Sequence, residues 1–312
     1  MARKLSPRKR FQYYLEYILV RILVLASTIV PLKTLRRFGS ALGWMAFRVV
    51  RIRRGIVMEN LRTSIAADER KLRAIALESY RNFGRLIMEM AAFKNISKDR
   101  LFEMVTVEGR EHLDDALARG NGAIIFTGHF GNWELLGATV ARCGYPLHVT
   151  DTDHSNKRVH KIISELRTAQ GMKIISPQRP VRYLVRLLQD KQLIAYLADQ
   201  DARDAGIFVD FLGRPASTLR GPATFALRRG CPIVPAFLIR EGADTHRAVF
   251  QEPMWPDEGL ATEDAILELT QRFTTRLEEY VRRYPELYFW THRRWKTKPP
   301  VSAAQRSSLD RS

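Results

Sequence analysis

The stretch of sequence that decides the fold is GNGAIIFTGHFGNWE, which occupies residues 120–134. Residues 123–127 are apolar or β-branched and lie between two glycine-rich turns, a pattern typical of a strand buried on both faces. Asn132 is a favourable N-cap residue, so a helix is predicted to begin there. A buried strand that passes through a glycine turn directly into a helix predicts an α/β fold.

The same alternation of short apolar runs and helical patterns continues towards the C-terminus. Helices are predicted at 68–93, 155–170, 180–190 and 263–284, and further strands at 147–150, 193–198, 207–212, 233–239 and 247–251. We therefore predict an α/β domain over residues 63–300, with a mixed central sheet flanked by helices. A basic helical segment, residues 1–62, precedes it, and a polar tail, residues 301–312, follows it. No Pro/Gly/Ser-rich linker separates the first segment from the domain, which predicts one structural unit.

Length and composition exclude several classes of protein. The 312-residue chain is 46% hydrophobic and 27% charged, so it is not a wholly disordered protein. A mean hydropathy of −0.23 excludes a polytopic membrane protein. The two cysteines, Cys143 and Cys231, do not make a disulfide framework and are typical of a reducing compartment.

Basic residues are concentrated at the N-terminus. The chain has 51 Lys and Arg residues against 33 Asp and Glu, and residues 1–62 hold fourteen of the former and two of the latter. Such a surface attracts anionic lipid or nucleic acid. The sequence has no zinc-ligand pattern and no RNA-binding aromatic block, so nucleic acid is not expected as a partner. A basic protein that only binds a membrane or nucleic acid is the non-enzymatic alternative.

An apolar stretch, residues 11–32, indicates an association with a membrane. As one helix it would be about 33 Å long at about 1.5 Å per residue, close to a bilayer core of about 30 Å. Glu16 and Arg21 interrupt it, so two interpretations stay open: a single span, or an amphipathic helix in the headgroup plane. No small-x-small cleavage motif indicates a secretory signal peptide. A lipid-facing surface is also predicted for the apolar residues that alternate with arginines further on: Phe47, Val49, Val50 and Ile52.

His129 and Glu134 carry the strongest chemical signal. They are five residues apart, an offset that separates two side chains by about 140° on a regular helix. The glycine turn can nevertheless fold the imidazole of His129 back towards the carboxylate of Glu134. An imidazole oriented by a carboxylate can remove a proton from a hydroxyl group. Since no Gly-x-Ser-x-Gly motif supplies a nucleophile, that hydroxyl would belong to an acceptor alcohol.

Residues 128–134 resemble the His-x4-Glu block of the lipid A late acyltransferases, the lauroyl and myristoyl transferases of the bacterial lysophospholipid-acyltransferase superfamily. Further blocks similar to the family occur in the same order along the chain, at 60–61, 79–89, 199–201, 206–223 and 288–296. The resemblance extends over roughly residues 10–300. It implies a fold like that of the glycerolipid acyltransferases, with a membrane-anchoring segment before it.

The resemblance also implies the reaction. The donor would be an acyl thioester, acyl-acyl carrier protein, and the acceptor a hydroxyl of a lipid A precursor at the cytoplasmic face of the inner membrane. His129 would be the general base and Glu134 the residue that orients it. A phosphatidylinositol mannoside, a lysophospholipid and an aminolipid are alternative acceptors, because related enzymes share these blocks. The family leads us to expect neither a cofactor nor a metal ion.

Five further residues are predicted to bind substrate. Arg167 matches an arginine of the family, and Arg214 lies in a Phe-Leu-Gly-Arg-Pro motif; guanidinium groups suit bidentate binding of phosphate. Asp199 and Asp201 are two residues apart, which on a strand places both side chains on one face. They could bind a metal ion, but we expect them to hold nearby arginines. Asn132 completes the set.

Three other features bear on the substrates. Residues 151–154 read Asp-Thr-Asp-His where the family often has an arginine, which would suit a different acceptor headgroup. The arginines within residues 48–54 and the basic residues within 293–298 suit a phosphorylated acceptor or an acidic carrier protein. Backbone amides of residues 128–132 are candidate donors to the oxyanion that forms during attack on a thioester.

Overall fold

The computed structural model describes residues 6–150, 155–176 and 178–300, so the acidic segment 151–154 and the tail 301–312 lie outside the described residues. Within them, seven strands form the central sheet: β1 (Val105–Glu108), β2 (Ala123–Thr127), β3 (Leu147–Thr150), β4 (Lys173–Ile175), β5 (Leu193–Leu197), β8 (Ile233–Arg240) and β9 (His246–Phe250). A separate hairpin between β5 and β8 pairs β6 (Ile207–Phe211) with β7 (Arg214–Thr218).

Helices precede the sheet and alternate with its strands. Those before the sheet are α1 (Pro7–Ala26), α2 (Leu32–Met45), α3 (Arg54–Ser64), α4 (Glu69–Ala91) and α5 (Lys98–Met104). Those that follow β1 are α6 (Arg110–Ala118), α7 (Trp133–Arg142), α8 (Lys157–Ala169), α9 (Val181–Gln189), α10 (Gly221–Arg229) and α11 (Thr262–Arg283). A π-helical turn, Ala46–Val50, continues α2 towards α3.

The sheet is mixed, with the strand order β1-β9-β8-β2-β5-β3-β4. β2 runs parallel to both of its neighbours, β5 and β8, whereas β8 and β9 are antiparallel. Alternate residues of β2 enter cores on opposite faces: Ile124 and Phe126 lie on the side of α11, and Ile125 lies on the side of α7. The predicted mixed sheet flanked by helices is therefore confirmed.

Most predicted elements are present within one or two residues of their expected bounds, including α4, α11, β2, β3, β5 and β8. The sequence pattern did not reveal β1, β4, β7, α5, α6 or α10. β4 has only three residues, and β7 contains Arg214, Pro215 and Ser217. Neither strand therefore presents the continuous apolar run from which a buried strand is predicted.

The prediction of one apolar helix over residues 11–32 is wrong. α1 ends at Ala26, and α2 begins at Leu32 after Pro31. At the break, the hydroxyl of Ser27 lies 3.0 Å from the carbonyl oxygen of Ala91, which ties the chain to the end of α4. In the described residues, no helix combines the length and the apolar character needed to cross a bilayer.

The N-terminal helices pack directly onto the rest of the chain. Gly39 of α2 faces Gly84 of α4, and a Cβ atom added to Gly84 would lie 2.0 Å from the carbonyl oxygen of Gly39. Phe47, which was predicted to face lipid, is instead 1% exposed, and its ring centroid lies 5.4 Å from that of Tyr80. The neighbouring apolar side chains are exposed as expected: Val49, Val50 and Ile52.

Candidate active site

Two parallel strands bring an imidazole and a carboxylate together. β2 and β5 are paired so that Thr127 lies opposite Leu197, and these are the last residues of the two strands. His129 and Asp199 follow at equal offsets, so they meet at the carboxyl edge of the sheet. His129 Nδ1 lies 2.7 Å from Asp199 Oδ1, and the His129 amide donates to Asp199 Oδ2 at 2.9 Å. Open α/β sheets commonly bind ligands at this edge.

We expected Glu134 to orient His129, but the structure pairs Glu134 with Arg167 instead. Arg167 of α8 donates to both carboxylate oxygens, from Nε at 2.9 Å and from Nη2 at 2.7 Å. α7 begins at Trp133, so the side chain of Glu134 follows the helix surface towards α8 while His129 stays in the turn. Arg167, which was expected to bind phosphate, therefore directs these two donors at a carboxylate of the protein.

Asp199 is buried, at 4% exposure. Burial opposes its ionisation, but the charge and hydrogen bonds of His129 and the charge of Arg294 outweigh it, so the pKa of Asp199 lies below its ordinary value. Arg294 is one of the basic residues that were expected to bind a phosphorylated acceptor or an acidic carrier protein. Its side chain is only 2% exposed. Burial and the Asp199 carboxylate raise the pKa of Tyr288 well above its usual value. The 2.7 Å contact with Asp199 assigns the ring proton of a neutral imidazole to His129 Nδ1, which leaves Nε2 as the acceptor.

His129 lines a cavity of about 290 Å³, which we call the catalytic cavity. Its wall includes three polar or charged side chains: Glu134, Arg167 and Gln200. Most of the remaining wall is apolar and comes from the sheet, α7 and the start of β4: Ile125, Leu136, Val140, Leu147, Val149, Met172, Ala195 and Leu197. The cavity thus joins a proton acceptor to an apolar surface.

Sequence reasoning missed three side chains that surround the imidazole. Gln200 Nε2 lies 3.1 Å from His129 Nε2, and the ring centroids of Trp133 and Phe289 lie 4.9 and 6.1 Å from that of His129. All three residues lie in stretches that resemble the family, but their roles depend on the packing of distant segments, which no local pattern reveals.

Gly131 permits the sharp turn between β2 and α7. Its φ is +58°, and a Cβ atom there would lie 1.8 Å from the carbonyl oxygen of Leu238. The amides of this turn were expected to be available to an oxyanion. Three of them instead donate within the protein: His129 N to Asp199, Phe130 N to Gly128 O, and Gly131 N to Leu287 O.

Asn132, which was predicted to bind substrate, supports the turn from within. It is 2% exposed, its Oδ1 caps α7 by accepting the Leu135 amide at 3.0 Å, and its Nδ2 donates to Glu89 at 2.6 Å. Glu89 is also bound by Arg36 of α2 and Arg240 of β8. Burial opposes the ionisation of Glu89, but nearby positive charge lowers its pKa to about 2. This buried cluster connects α2, α4 and β8 to the helix that follows the turn.

We expected Asp199 and Asp201 to share one face of a strand, but they do not. β5 ends at Leu197, so both aspartates lie in the loop that follows the strand. Asp201 Oδ2 accepts from the Thr297 hydroxyl at 2.9 Å, and the Asp201 amide donates to His292 Nε2 at 2.9 Å. Across the described ranges, no group of three or more His, Cys, Asp or Glu side chains is arranged to hold a metal ion.

Arg214, the second predicted phosphate ligand, packs against the protein. It lies at the start of β7, donates to Ser64 at 3.0 Å, and stacks on Trp295 with 3.5 Å between the guanidinium carbon and the ring centroid. The structure therefore places His129, Glu134 and Arg167 on the wall of the catalytic cavity and pairs Asp199 with His129, but it directs Arg214 elsewhere.

Comparisons with known proteins identify the family of the chain. The model of the family described as bacterial lipid A biosynthesis acyltransferase matches residues 3–297. The chain is 28% identical over 182 residues to a phosphatidylinositol mannoside acyltransferase of Mycobacterium tuberculosis, an alignment that spans only 57% of the length of that relative and 57% of this chain. It is 25% identical to the lipid A biosynthesis palmitoleoyltransferase of Escherichia coli, over 86% of this chain and 87% of the relative. It is also 25% identical to the lipid A biosynthesis lauroyltransferase of the same organism, over 95% of this chain and 94% of the relative. Because the family model matches almost the whole length, the chain belongs to the bacterial lipid A biosynthesis acyltransferase family.

Proposed function

We propose that this protein transfers a fatty acyl chain from acyl-acyl carrier protein to a hydroxyl group of a lipid A precursor. The observation that carries the proposal is the His129–Asp199 pair, which orients the imidazole of His129 on the wall of the catalytic cavity. Membership of the family supports the choice of acyl transfer.

In the proposed mechanism, His129 Nε2 removes the proton of the acceptor hydroxyl while the hydroxyl oxygen attacks the thioester carbonyl. Asp199 holds the imidazole in the required tautomer and stabilises the positive charge that forms on it. The tetrahedral intermediate then expels the thiolate, which receives the proton from the imidazolium and leaves as a thiol. One C–O bond forms and one C–S bond breaks, so atoms and charge balance.

The apolar wall of the catalytic cavity suits the acyl chain of the donor. We propose that the chain lies against Leu136, Val140 and Met172, with its carbonyl carbon next to His129. Each methylene group buried there contributes about 0.8 kcal/mol to binding. The Glu134–Arg167 pair, whose side chains are 7% and 18% exposed, stabilises the adjoining wall by connecting α7 to α8.

We propose that the N-terminal segment holds the protein on the cytoplasmic face of the inner membrane. Thirteen of the eighteen large apolar side chains that are exposed in the described residues lie between Phe11 and Ile52. Along its described length (Pro7–Ala26), α1 has no buried residue. Lysines and arginines of the same segment attract anionic lipid, at about 1 kcal/mol for each one near the surface. An exposed apolar face with basic neighbours suits binding in the headgroup plane.

A phosphatidylinositol mannoside is the second candidate acceptor, because the mycobacterial relative carries that name at 28% identity. The palmitoleoyltransferase and the lauroyltransferase of lipid A biosynthesis align over 86% and 95% of the chain, against 57% for the mycobacterial relative. We therefore place the lipid A precursor first.

The test is acyl transfer in washed membranes that contain the protein, supplied with labelled acyl-acyl carrier protein and either acceptor. We expect a labelled, more highly acylated lipid A product with the wild-type protein. His129→Ala should lower the rate by about 10²-fold or more, the usual contribution of a general base. His112→Ala, on α6, is the matched control and should retain the wild-type rate. Full activity of His129→Ala, or no product with either acceptor, would overturn the proposal.

A further inference from the structure

A second polar cavity, of about 630 Å³, adjoins the catalytic cavity. Four exposed cationic side chains line this basic cavity: Arg53, Arg203, Arg293 and Lys296. In the part of the chain that the structure describes, none of the four lies within ion-pair distance of a carboxylate. Cations gathered in this way repel one another until an anion binds between them, and guanidinium groups match the geometry of phosphate.

The backbone holds two of these cations in an unfavourable conformation. Arg53 has a φ of 50° and Arg203 a φ of 54°, both in the left-handed region that residues other than glycine seldom adopt. Strain of this kind persists where the surrounding structure enforces it, and it is concentrated at binding sites. Both arginines therefore point to a built site.

Asp201 also lines the cavity. Its Oδ2 accepts from Thr297. Its Oδ1 has no hydrogen-bond partner among the described residues, but it is buried, so a ligand in the cavity does not reach it. The four cations therefore determine the chemistry of the ligand, which is an anion such as a phosphate.

Gln200 connects the basic cavity to the general base. Its side chain lines both the basic and the catalytic cavity, and its amide nitrogen lies 3.1 Å from His129 Nε2. The amide therefore occupies the position that the acceptor hydroxyl must take. A headgroup that enters through the basic cavity reaches the imidazole once Gln200 turns aside, while the donor chain fills the catalytic cavity from the other side.

An apolar groove of about 390 Å³ begins where the basic cavity ends. Arg53 lines both of them, and Phe289, whose ring centroid is 6.1 Å from that of His129, lies on the wall of the groove. The rest of its wall comes mainly from α2, the π-helical turn and α4: Leu42, Ala46, Tyr80, Phe83 and Ile87. A basic cavity continuous with an apolar groove fits an amphiphilic anion.

We propose that the basic cavity binds a phosphate group of the acceptor lipid, with the acyl chains of that lipid in the apolar groove. This inference rests on the proposed function and assigns its acceptor site. A phosphate of the donor's phosphopantetheine arm has similar chemistry. The acceptor is the ligand of choice because one molecule then supplies both the phosphate at Arg203 and the acyl chains beyond Arg53.

The experiment compares two acceptors and three proteins. The acceptors are a tetra-acylated lipid A precursor that carries its phosphates and the same lipid after phosphatase treatment. The proteins are the wild type, the double variant Arg203→Gln/Lys296→Gln, and Arg186→Gln, which removes an exposed charge on α9. We expect the double variant to raise KM for the phosphorylated acceptor by about 10- to 100-fold, the usual effect of lost charge-assisted hydrogen bonds. KM for the dephosphorylated acceptor and for acyl-acyl carrier protein should stay at the wild-type value.

Each other outcome overturns the inference. An equal rise in KM for both acceptors would mean that the cations do not contact phosphate, and a rise in KM for the donor would assign them to the phosphopantetheine arm. If the wild type acylates neither lipid, the proposed function fails as well. If the wild type is active but the double variant changes KM equally for both acceptors, only this inference fails. If the double variant unfolds, Arg293→Gln takes its place in the experiment. It changes another exposed cation of the basic cavity and should also raise KM for the phosphorylated acceptor.

Discussion

Replacement of Asp199 by asparagine tests the pair on which the proposed mechanism depends. Asp199→Asn keeps the shape of the side chain but removes its charge, and the new amide can donate to His129 Nδ1. The imidazole proton would then move to Nε2, the atom that must accept the proton of the acceptor. Asp199 is 4% exposed, so water has little access to replace the lost charge.

The expected magnitude follows from the geometry of the pair. His129 Nδ1 and Asp199 Oδ1 are 2.7 Å apart. The centres of the two charges are then about 4 Å apart, and at an effective dielectric constant of about 20 their attraction is about 4 kcal/mol. This attraction acts only after the imidazole has taken the proton, so its loss raises the barrier by a similar amount. We therefore expect kcat to fall by about 10³-fold.

The assay is the initial rate of labelled acyl transfer by the purified variants, with thermal unfolding recorded on the same samples. Asp190→Asn changes an exposed aspartate at the end of α9 and should leave both the rate and the unfolding midpoint unchanged. A fall in kcat of less than about tenfold for Asp199→Asn, in a protein that unfolds as the wild type does, would refute the reasoning.

Three further predictions concern stability. Glu134→Gln should cost about 1–3 kcal/mol, because it removes the negative charge from a pair whose side chains are 7% and 18% exposed; an unchanged unfolding midpoint would contradict the pairing with Arg167. Burial lowers the pKa of His246 from 6.5 to about 4, so between these pH values the unfolded chain binds a proton that the folded protein does not. In urea titrations, His246 should therefore contribute a fall of up to about 3 kcal/mol in the free energy of unfolding as the pH drops through this window, and His246→Gln should remove that contribution. Gly84→Ala should destabilise the protein by about 1–3 kcal/mol. Gly55→Ala is the control and should not destabilise it, because a Cβ atom at Gly55 meets open space. Equal unfolding midpoints for the two variants would argue against close packing of α2 on α4.

The strand–turn–helix unit around the site was predictable because its signals are local. The apolar run of β2, the positive φ of Gly131 and the cap at Asn132 each depend on residues that are close in sequence. The break between α1 and α2 was not predictable from hydropathy. Ser27 is held there by Ala91, which is 64 residues further along the chain.

The carboxylate partner of the general base was not predictable from local sequence either. The sequence predicts Glu134 as the residue that orients His129 because the two are close in sequence, whereas Asp199 lies 70 residues from His129. The sequence predicts Asp199 and Asp201 as a pair on one strand face that holds arginines, and it contains no signal for the register that places Thr127 opposite Leu197.

The amino-acid sequence by itself therefore determined that His129 follows a buried strand in a glycine turn, and that the chain resembles the lipid A acyltransferases. Only the tertiary structure decided which carboxylate holds the imidazole and which arginine holds Glu134. The physical reason is that both distances are set by pairings between segments far apart in sequence, β2 with β5 and α7 with α8, which form only when the whole domain folds.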